Sequence, residues 1–181
     1  MKYPIILALT ALFAWGCGSE TEKEETTESG NSTKVVDSAA IKMAATFKTL
    51  SPGFFSVGLP DTFVIKKLQS QPDECDYSIS LKNGMECLQI HCKPKSAFPS
   101  LDAKTMLEEF RQGGLIQITN SSQDIFGFEI TGKAKEDGNP IFLKRMIGAK
   151  YVSDLTAYYP AQYAKSIEPL LPAIASTFLS L

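Results

Sequence analysis

The feature of this sequence that most restricts its fold is a short polar segment, Lys82-Asn83-Gly84-Met85, between two runs of alternating apolar and polar residues. Asn-Gly in such a position is typical of a β-hairpin with a two-residue type I′ turn. That turn places Cys75 opposite Cys92 and Ile79 opposite Leu88. One face of the hairpin is then almost entirely apolar and the other almost entirely polar. A slip of one residue would exchange the two faces, so the register is well determined.

The predicted register has a chemical consequence for Cys75 and Cys92. Opposed residues of an antiparallel hairpin alternate between hydrogen-bonded and non-hydrogen-bonded pairs. Counting outward from Lys82 and Met85 places the two cysteines on a non-hydrogen-bonded pair, with Cα atoms about 4.5 Å apart. That distance is at the short end of the disulfide range. We therefore predict a Cys75–Cys92 disulfide in an oxidising compartment; the alternative is two buried thiols. Cys87 is predicted on the polar face, without an assigned partner.

The N-terminal residues indicate an exported protein. Lys2 precedes an apolar run from Pro4 to Phe13, which is too short to span a bilayer but suits the core of a signal peptide. The run is followed by Gly16-Cys17, and a small residue before Cys resembles the lipobox of bacterial lipoproteins. We predict residues 1–16 as a signal peptide and Cys17 as the lipid attachment site. The alternative is an ordinary secretory signal in which Cys17 has no role.

An acidic segment, residues 17–34, follows the signal peptide. After Cys17 it contains five Glu and two Lys but no Val, Ile, Leu or aromatic residue. Such a segment buries too little apolar surface to offset the entropy of ordering, so we expect a disordered tether. Gly18 is not the Asp that retains lipoproteins at the inner membrane, which favours the outer membrane. The Glu-rich start resembles export signals of surface-facing lipoproteins in some Gram-negative lineages; the alternative is a solvated spacer.

Residues 35–181 are predicted to form a single domain. They carry 15 acidic and 15 basic side chains, so this part of the chain is neutral. A neutral domain argues against a nucleic-acid binder, which would show a basic surplus. Besides the central hairpin, the patterns predict a helix over 101–112, a second helical region over 163–178 that restarts at Pro169, and strands over 115–119, 125–133, 141–149 and 152–159.

Four short motifs stand out in this domain: Phe54-Phe55-Ser56-Val57-Gly58-Leu59-Pro60, Leu155-Thr156-Ala157-Tyr158-Tyr159-Pro160, Glu168-Pro169-Leu170 and Ile174-Ala175-Ser176-Thr177-Phe178. They resemble the PsbP-like family, which includes an accessory subunit of photosystem II and bacterial lipoproteins of the DcrB type. The resemblance covers roughly residues 45–181 and implies an α+β fold, with an antiparallel central sheet flanked by helices in an α/β/α sandwich. Phe63 stands where the family often has Trp.

The chain contains one combination of residues that could suggest a cysteine protease: Cys87, His91 and Asp76. On a single strand, the Cα atoms of Cys87 and His91 would be about 13 Å apart. A nucleophile and its base must be within hydrogen-bond reach, so this combination does not predict catalysis. Asp76 opposite His91 predicts a cross-strand ion pair instead. We predict no catalytic residue, no metal site and no cofactor.

Four tyrosines are predicted near the end of the sheet: Tyr151, Tyr158, Tyr159 and Tyr163. Core packing is the ordinary interpretation, and an aromatic-lined binding groove is the alternative. The leading functional prediction is a lipid-anchored envelope protein whose non-enzymatic domain binds a protein partner. A carrier of a small apolar or amphipathic ligand is the second hypothesis, and an enzyme is the third. No nucleic-acid partner is expected.

Overall fold

The computed structural model of this protein describes residues 46–181. The predicted signal peptide, Cys17, the acidic tether and the predicted start of the domain at residue 35 lie outside this range. Short 3-10 turns cover Lys95–Ala97, Ala161–Tyr163 and Glu168–Leu170. The strands and α-helices are β1 (Phe47–Leu50), β2 (Phe55–Pro60), β3 (Val64–Lys67), β4 (Cys75–Ser80), β5 (Glu86–Pro94), α1 (Ala103–Gly113), β6 (Ile116–Asp124), β7 (Gly127–Ala134), β8 (Pro140–Ile147), β9 (Tyr151–Tyr158), α2 (Ala164–Ile167), α3 (Leu171–Thr177) and β10 (Leu179–Ser180).

The strands form two antiparallel sheets. The larger sheet has seven strands in the order β3-β4-β5-β9-β8-β7-β6, and the smaller has the order β1-β2-β10. Only the β5–β9 neighbours of the larger sheet are distant in sequence, because α1 and the β6–β7–β8 meander come between them. The described domain is therefore an α+β fold made mostly of antiparallel sheet. β1 and β10 were not predicted from the sequence.

Two apolar clusters form on opposite faces of the larger sheet. Phe142 and Leu143 are consecutive residues of β8, so their side chains point to different faces. Phe142 belongs to a cluster that contains buried residues of β2, β4, β5, β9 and the C-terminal helical segment, among them Ile174 and Phe178. Leu143 belongs to a second cluster with Met106 of α1, and with residues of β7 and β9.

The predicted two-residue turn of the central hairpin is wrong. The Gly84 N–H donates to the Leu81 carbonyl at 2.9 Å, and the Leu81 N–H donates to the Met85 carbonyl at 2.9 Å. The loop therefore has three residues, Lys82 to Gly84, and Gly84 adopts the left-handed conformation with φ 86°. A three-residue loop ending in a left-handed Gly is a common alternative to the type I′ turn.

Cys87 corrects the register beyond this loop. Ser80 lies opposite Glu86, whereas Ile79 lies opposite Leu88, so Cys87 is an extra residue in β5. This bulge turns its side chain inward, where Cys87 is 1% exposed, and its Sγ lies 3.6 Å from the Ile79 carbonyl. The prediction that Cys87 lies on the polar face is therefore wrong.

The predicted position of Cys75 opposite Cys92 across the two strands is confirmed. The prediction that they form a non-hydrogen-bonded pair is wrong. The Leu68 N–H donates to the Asp76 carbonyl, so Asp76 directs its backbone groups toward β3 and Cys75 directs its own toward β5. The cysteines thus form a hydrogen-bonded pair, with Cα atoms about 5.5 Å apart. The difference follows from the three-residue loop and the bulge at Cys87. Together they keep Cys75 opposite Cys92 but exchange the hydrogen-bonded and non-hydrogen-bonded pairs along the hairpin.

The helices begin slightly later than the sequence predicted. In α1 the Asp102 carboxylate accepts the Thr105 N–H at 2.8 Å, and Gly114 ends the helix with φ 71°. Leu101, which was predicted to begin this helix, precedes the cap and is 39% exposed. α3 begins at Leu171 and has Pro172 in its first turn, where a missing N–H is tolerated.

Candidate functional site

The tip of the β6–β7 hairpin exposes two large apolar side chains. Ile125 is 83% exposed and Phe126 is 57% exposed. The tip is nevertheless held in place, because the Asp124 carboxylate accepts the Phe126 N–H at 2.8 Å and the Phe126 carbonyl accepts the Ile147 N–H at 2.7 Å. The strand predicted over 125–133 included Ile125, so that prediction is wrong at the tip. Asp124 and Gly127, which flank the two apolar residues, are typical of a turn.

A groove of about 530 Å³ runs along β6 and is bounded by α1. Arg111 Nη2 donates to Ser121 Oγ at 2.8 Å, and its Nη1 lies 2.5 Å from Glu108 Oε1. Its side chain remains 41% exposed, so the guanidinium is available at the groove surface. Arg111 was not predicted from the sequence as a site residue. The lining residues are Arg111, Ile116, Ile118, Thr119, Asn120 and Ser121.

A second concavity of about 360 Å³ lies between α3 and strands β7 and β8. Lys144 fixes one wall, because its Nζ lies 2.9 Å from Glu129 Oε1 and donates to the Ala175 carbonyl at 2.9 Å. Most of the lining is apolar, with polar groups at the margin. The lining residues are Glu129, Thr131, Phe142, Leu171, Pro172, Ala175 and Ser176.

Charged side chains form a row across four neighbouring strands. The predicted pairing of Asp76 with His91 is confirmed, since His91 Nδ1 contacts Asp76 Oδ1. His91 lies opposite Asp154 on β9, and Asp154 in turn lies opposite Arg145 on β8. Asp154 and Arg145 form an ion pair at 2.6 Å. Each carboxylate of this row therefore has a basic side chain, His91 or Arg145, opposite it on a neighbouring strand.

The three cysteines of the described range are buried and carry free thiols. A side-chain hydrogen bond with Cys92, followed by burial, raises the pKa of the Cys75 thiol far above its ordinary value. Burial, helped by the Glu86 charge, raises the pKa of Cys87 to about 12. None of this resembles a reactive cysteine, which needs a lowered pKa and access to solvent.

The four tyrosines do not share a groove. Tyr151 and Tyr158 are the first and last residues of β9, about 23 Å apart along the strand. An odd separation of seven positions also puts their side chains on opposite faces. Tyr159 is buried in the first apolar cluster at 1% exposure, and burial raises the pKa of its hydroxyl. Tyr163 is half-buried against the same cluster.

Two further properties concern residues 46–181, the range that the structure describes. That range contains no group of three or more His, Cys, Asp or Glu side chains placed to hold a metal ion. None of its helices has both the length and the apolar character needed to cross a membrane.

Comparison with known proteins defines the fold class. The domain has a PsbP-like fold, which confirms at that level the resemblance carried by the sequence motifs. It is similar to the solution structure of cyanobacterial PsbP (CyanoP) from Synechocystis sp. PCC 6803, with a TM-score of 0.53 and 10% sequence identity over 85% of this chain and 98% of that chain. A crystal structure from Bacteroides thetaiotaomicron VPI-5482 gives a TM-score of 0.33 and 9% identity over 71% of this chain and 45% of that chain. No family model and no curated protein sequence matches the chain.

Proposed function

We propose that this protein is a lipid-anchored envelope lipoprotein whose PsbP-like domain is a non-enzymatic accessory module that binds a protein partner. Cys17 is the proposed site of lipid attachment, residues 1–16 the signal peptide and residues 17–34 the tether. The outer membrane is the proposed location. Several acyl chains on one Cys would make this anchoring stable, whereas a single chain binds only marginally.

The observation that carries the partner-binding proposal is the hairpin tip. Ile125 and Phe126 expose large apolar side chains on a turn fixed by Asp124 and Ile147. Aromatic and large apolar anchors of this kind dominate the binding energy of protein interfaces. An ordered tip also loses little conformational entropy when it is buried by a partner.

The partner-binding proposal is tested by cross-linking the full-length protein in its own membrane. We expect a stoichiometric cross-linked partner with the wild-type protein and loss of most of that product with an Ile125→Ser/Phe126→Ser double variant. Because both side chains are exposed, the variant should keep the thermal unfolding temperature of the wild type. A matched variant on another exposed apolar site, Val64→Ser, should still cross-link. Equal cross-linking by the tip variant would exclude the tip as the contact.

The anchor has a separate test. Labelled fatty acid should enter the wild-type protein and fail to enter a Cys17→Ser variant. The Cys17→Ser protein should also be released from membranes by high salt, whereas the wild type stays bound. Incorporation of label into both proteins to the same extent would contradict lipid attachment at Cys17.

A carrier function is the second candidate, and the concavity between α3 and β7–β8 is the observation that favours it. Its volume of about 360 Å³ and mostly apolar lining suit a small apolar or amphipathic ligand. Native mass spectrometry of the purified protein tests this proposal. A retained small molecule that is lost on Ala175→Trp, which fills the concavity, would favour a carrier. A mass equal to that of the lipidated chain alone would count against it.

We also propose that Cys75 and Cys92 are joined by a disulfide after export. An oxidised dithiol–disulfide oxidoreductase would accept two electrons and two protons from the thiols and become a dithiol. In a hydrogen-bonded strand pair the Cβ atoms are about 5.5 Å apart, so bond formation requires the two strands to approach by about 1 Å. Peptide mapping without reduction tests the pairing. A Cys75–Cys87 link, or full alkylation of both cysteines after unfolding, would contradict it.

The layer arrangement is a further part of the proposal. We infer that α1 and the C-terminal helical segment flank the larger sheet as an α/β/α sandwich. The support is that Met106 and Ile174 belong to apolar clusters on opposite faces of β8. Amide hydrogen exchange should then protect both α1 and α3, and a fully exchanging α1 would contradict the arrangement.

A further inference from the structure

The two outer strands of the larger sheet differ in how well they are protected from pairing with another chain. β3 has only four residues, and two of them are Lys66 and Lys67. Short length and Lys residues are the usual devices that keep an exposed sheet edge from pairing. β6 has nine residues, contains no Lys, Arg or Pro, and carries a single charge at its last position, Asp124. Its one protective device is a bulge between Ile118 and Asn120.

The free edge of β6 presents backbone groups at regular positions. The Phe126 carbonyl accepts the Ile147 N–H, and the Ala134 N–H donates to the Asn139 carbonyl, so even-numbered residues of β7 bond to β8. The odd-numbered residues of β7 therefore bond to their partners on β6. Within residues 46–181 no strand lies on the other side of β6. The residues whose backbone groups point outward are Ile116, Ile118, Ser121 and Gln123.

The groove beside this edge is favourable for a carboxylate. Arg111 lies in its wall with 41% of its side chain exposed. At the start of β6, Lys135 bonds through its backbone N–H to the Leu115 carbonyl at 3.0 Å, and its Nζ would lie 3.9 Å from a Cβ on Gly114. Glu108 neutralises part of the Arg111 charge. Lys135 forms no ion pair within residues 46–181, so it leaves an unpaired cation near the start of β6.

We infer that β6 binds an extended acidic segment of the protein partner by strand addition. The segment would pair antiparallel or parallel with the outward backbone groups of β6 and place an Asp or Glu side chain at Arg111. Main-chain hydrogen bonds give affinity in this mode of recognition and side-chain pockets give specificity. β6 continues directly into Ile125 and Phe126, so a bound strand would end beside the exposed tip. This inference rests on the proposed partner-binding function and names its recognition chemistry.

The test uses the full-length protein in detergent and a displayed library of random twelve-residue peptides. We expect enrichment of strand-forming peptides that contain Asp or Glu, which are then synthesised and compared with versions in which Gln replaces the acidic residue. Gln123→Pro removes one outward N–H at an edge position that tolerates Pro. It should weaken binding about fivefold or more, the equivalent of one hydrogen bond. Ile65→Pro makes the same change on the other edge and should leave binding unchanged.

Charge recognition is measured with the same peptides. Arg111→Gln should weaken binding of the acidic peptide about fivefold and leave the Gln-containing peptide unaffected. The affinity of the acidic peptide should also fall as salt is raised. Circular dichroism and thermal unfolding of each variant show whether its fold is kept. If Gln123→Pro does not fold, backbone N-methylated peptides tested against the wild-type protein supply the block to strand pairing.

Several outcomes would overturn the inference. The first is that no peptide is enriched. The second is that Gln123→Pro binds the peptides as tightly as the wild type does, or that N-methylated peptides bind as tightly as unmethylated ones. The third is a concentration-dependent dimer that Gln123→Pro dissociates, because this would assign the edge to a second copy of this chain. The proposed function can stand when the inference fails. If cross-linking in the membrane finds a partner that needs Ile125 and Phe126 but is indifferent to the β6 edge, partner binding stands and strand addition does not.

Discussion

Arg145 and Asp154 face each other across β8 and β9 through two parallel hydrogen bonds, from Nε to Oδ1 at 2.7 Å and from Nη2 to Oδ2 at 2.6 Å. Their side chains are 17% and 16% exposed. The guanidinium carbon also lies 5.5 Å from the ring centroid of Phe98 and 5.7 Å from that of Phe128. Burial alone would lower the pKa of Arg145, but the Asp154 carboxylate more than offsets this, so the pKa is raised and the pair stays ionised.

Removing one member of this pair should be more damaging than removing both. Asp154→Asn leaves a largely buried guanidinium without its counter-charge and should lower the free energy of unfolding by about 3 kcal/mol. The double variant Arg145→Met/Asp154→Leu buries no charge and should be within about 1 kcal/mol of the wild type. Urea unfolding of the two proteins measures the difference. Equal losses in the single and double variants would contradict this prediction, because a buried guanidinium without its counter-charge would then cost no more than the absence of both charges.

Gly132 permits the close approach of β6 and β7 at the β6 bulge. A Cβ on Gly132 would lie 2.4 Å from the Gln117 carbonyl oxygen, which belongs to the backbone and has little freedom to move. Gly132→Ala should therefore destabilise the domain by about 1–3 kcal/mol. Gly113→Ala is the matched control, because a Cβ there meets no atom within 4 Å and lies in α1. It should stabilise by about 0.5 kcal/mol. Thermal unfolding midpoints that move in the same direction for both variants would contradict this explanation.

The sequence predicted the parts of the fold that depend on local alternation. The opposition of Cys75 and Cys92, and the contact of Asp76 with His91, follow from two strands that need one apolar face. Tyr151 and Tyr158 are seven positions apart, so on one strand their side chains point to opposite faces. This spacing could likewise have shown that they do not share a groove. These relationships are set by the period of the strand and need no knowledge of distant contacts.

The remaining features depend on contacts between parts of the chain far apart in sequence. Asn83-Gly84 suits both a two-residue and a three-residue loop, and the choice is coupled to the bulge that buries Cys87 among residues of other strands. Ile125 and Phe126 look like strand residues, and although Asp124 and Gly127 beside them favour a turn, the position of that turn is fixed by Ile147 of β8, which bonds to the Phe126 carbonyl. The groove at Arg111 likewise requires α1 to pack beside β6, which no local pattern predicts.

The Asp137 turn provides a pH-dependent contribution to stability. The Tyr158 hydroxyl donates to the Asp137 carboxylate, and the Asn139 N–H donates to it at 3.0 Å. The Tyr158 hydrogen bond, followed by that of Asn139, holds the pKa of Asp137 below its ordinary value of 3.8. Because the folded pKa is lowered, the stabilisation is present above the unfolded pKa and is lost as the pH falls through the folded pKa.

Unfolding by urea between pH 2 and pH 6 checks this linkage. The wild type should be more stable than Asp137→Asn at pH 6, and the difference should shrink as the pH falls below about 4. Tyr158→Phe removes the largest cause of the shift, so the Asp137 pKa measured by NMR should rise toward 3.8 in that variant. A difference between wild type and Asp137→Asn that stays constant over the whole range would show that the charge of Asp137 does not contribute.

Cys87 should be inert toward alkylation in the folded protein. It is 1% exposed, and burial raises the pKa of its thiol to about 12. Only the thiolate reacts, so at pH 8 the rate should be lower than that of a solvent-exposed cysteine by a factor of about 1,000 or more. A Ser122→Cys variant supplies such a cysteine on β6 for comparison in the same protein. Mass spectrometry after timed exposure to iodoacetamide should find Ser122→Cys modified within minutes and Cys87 modified only after unfolding. Rapid labelling of Cys87 would mean that the bulge opens readily and that its thiol is not buried in solution.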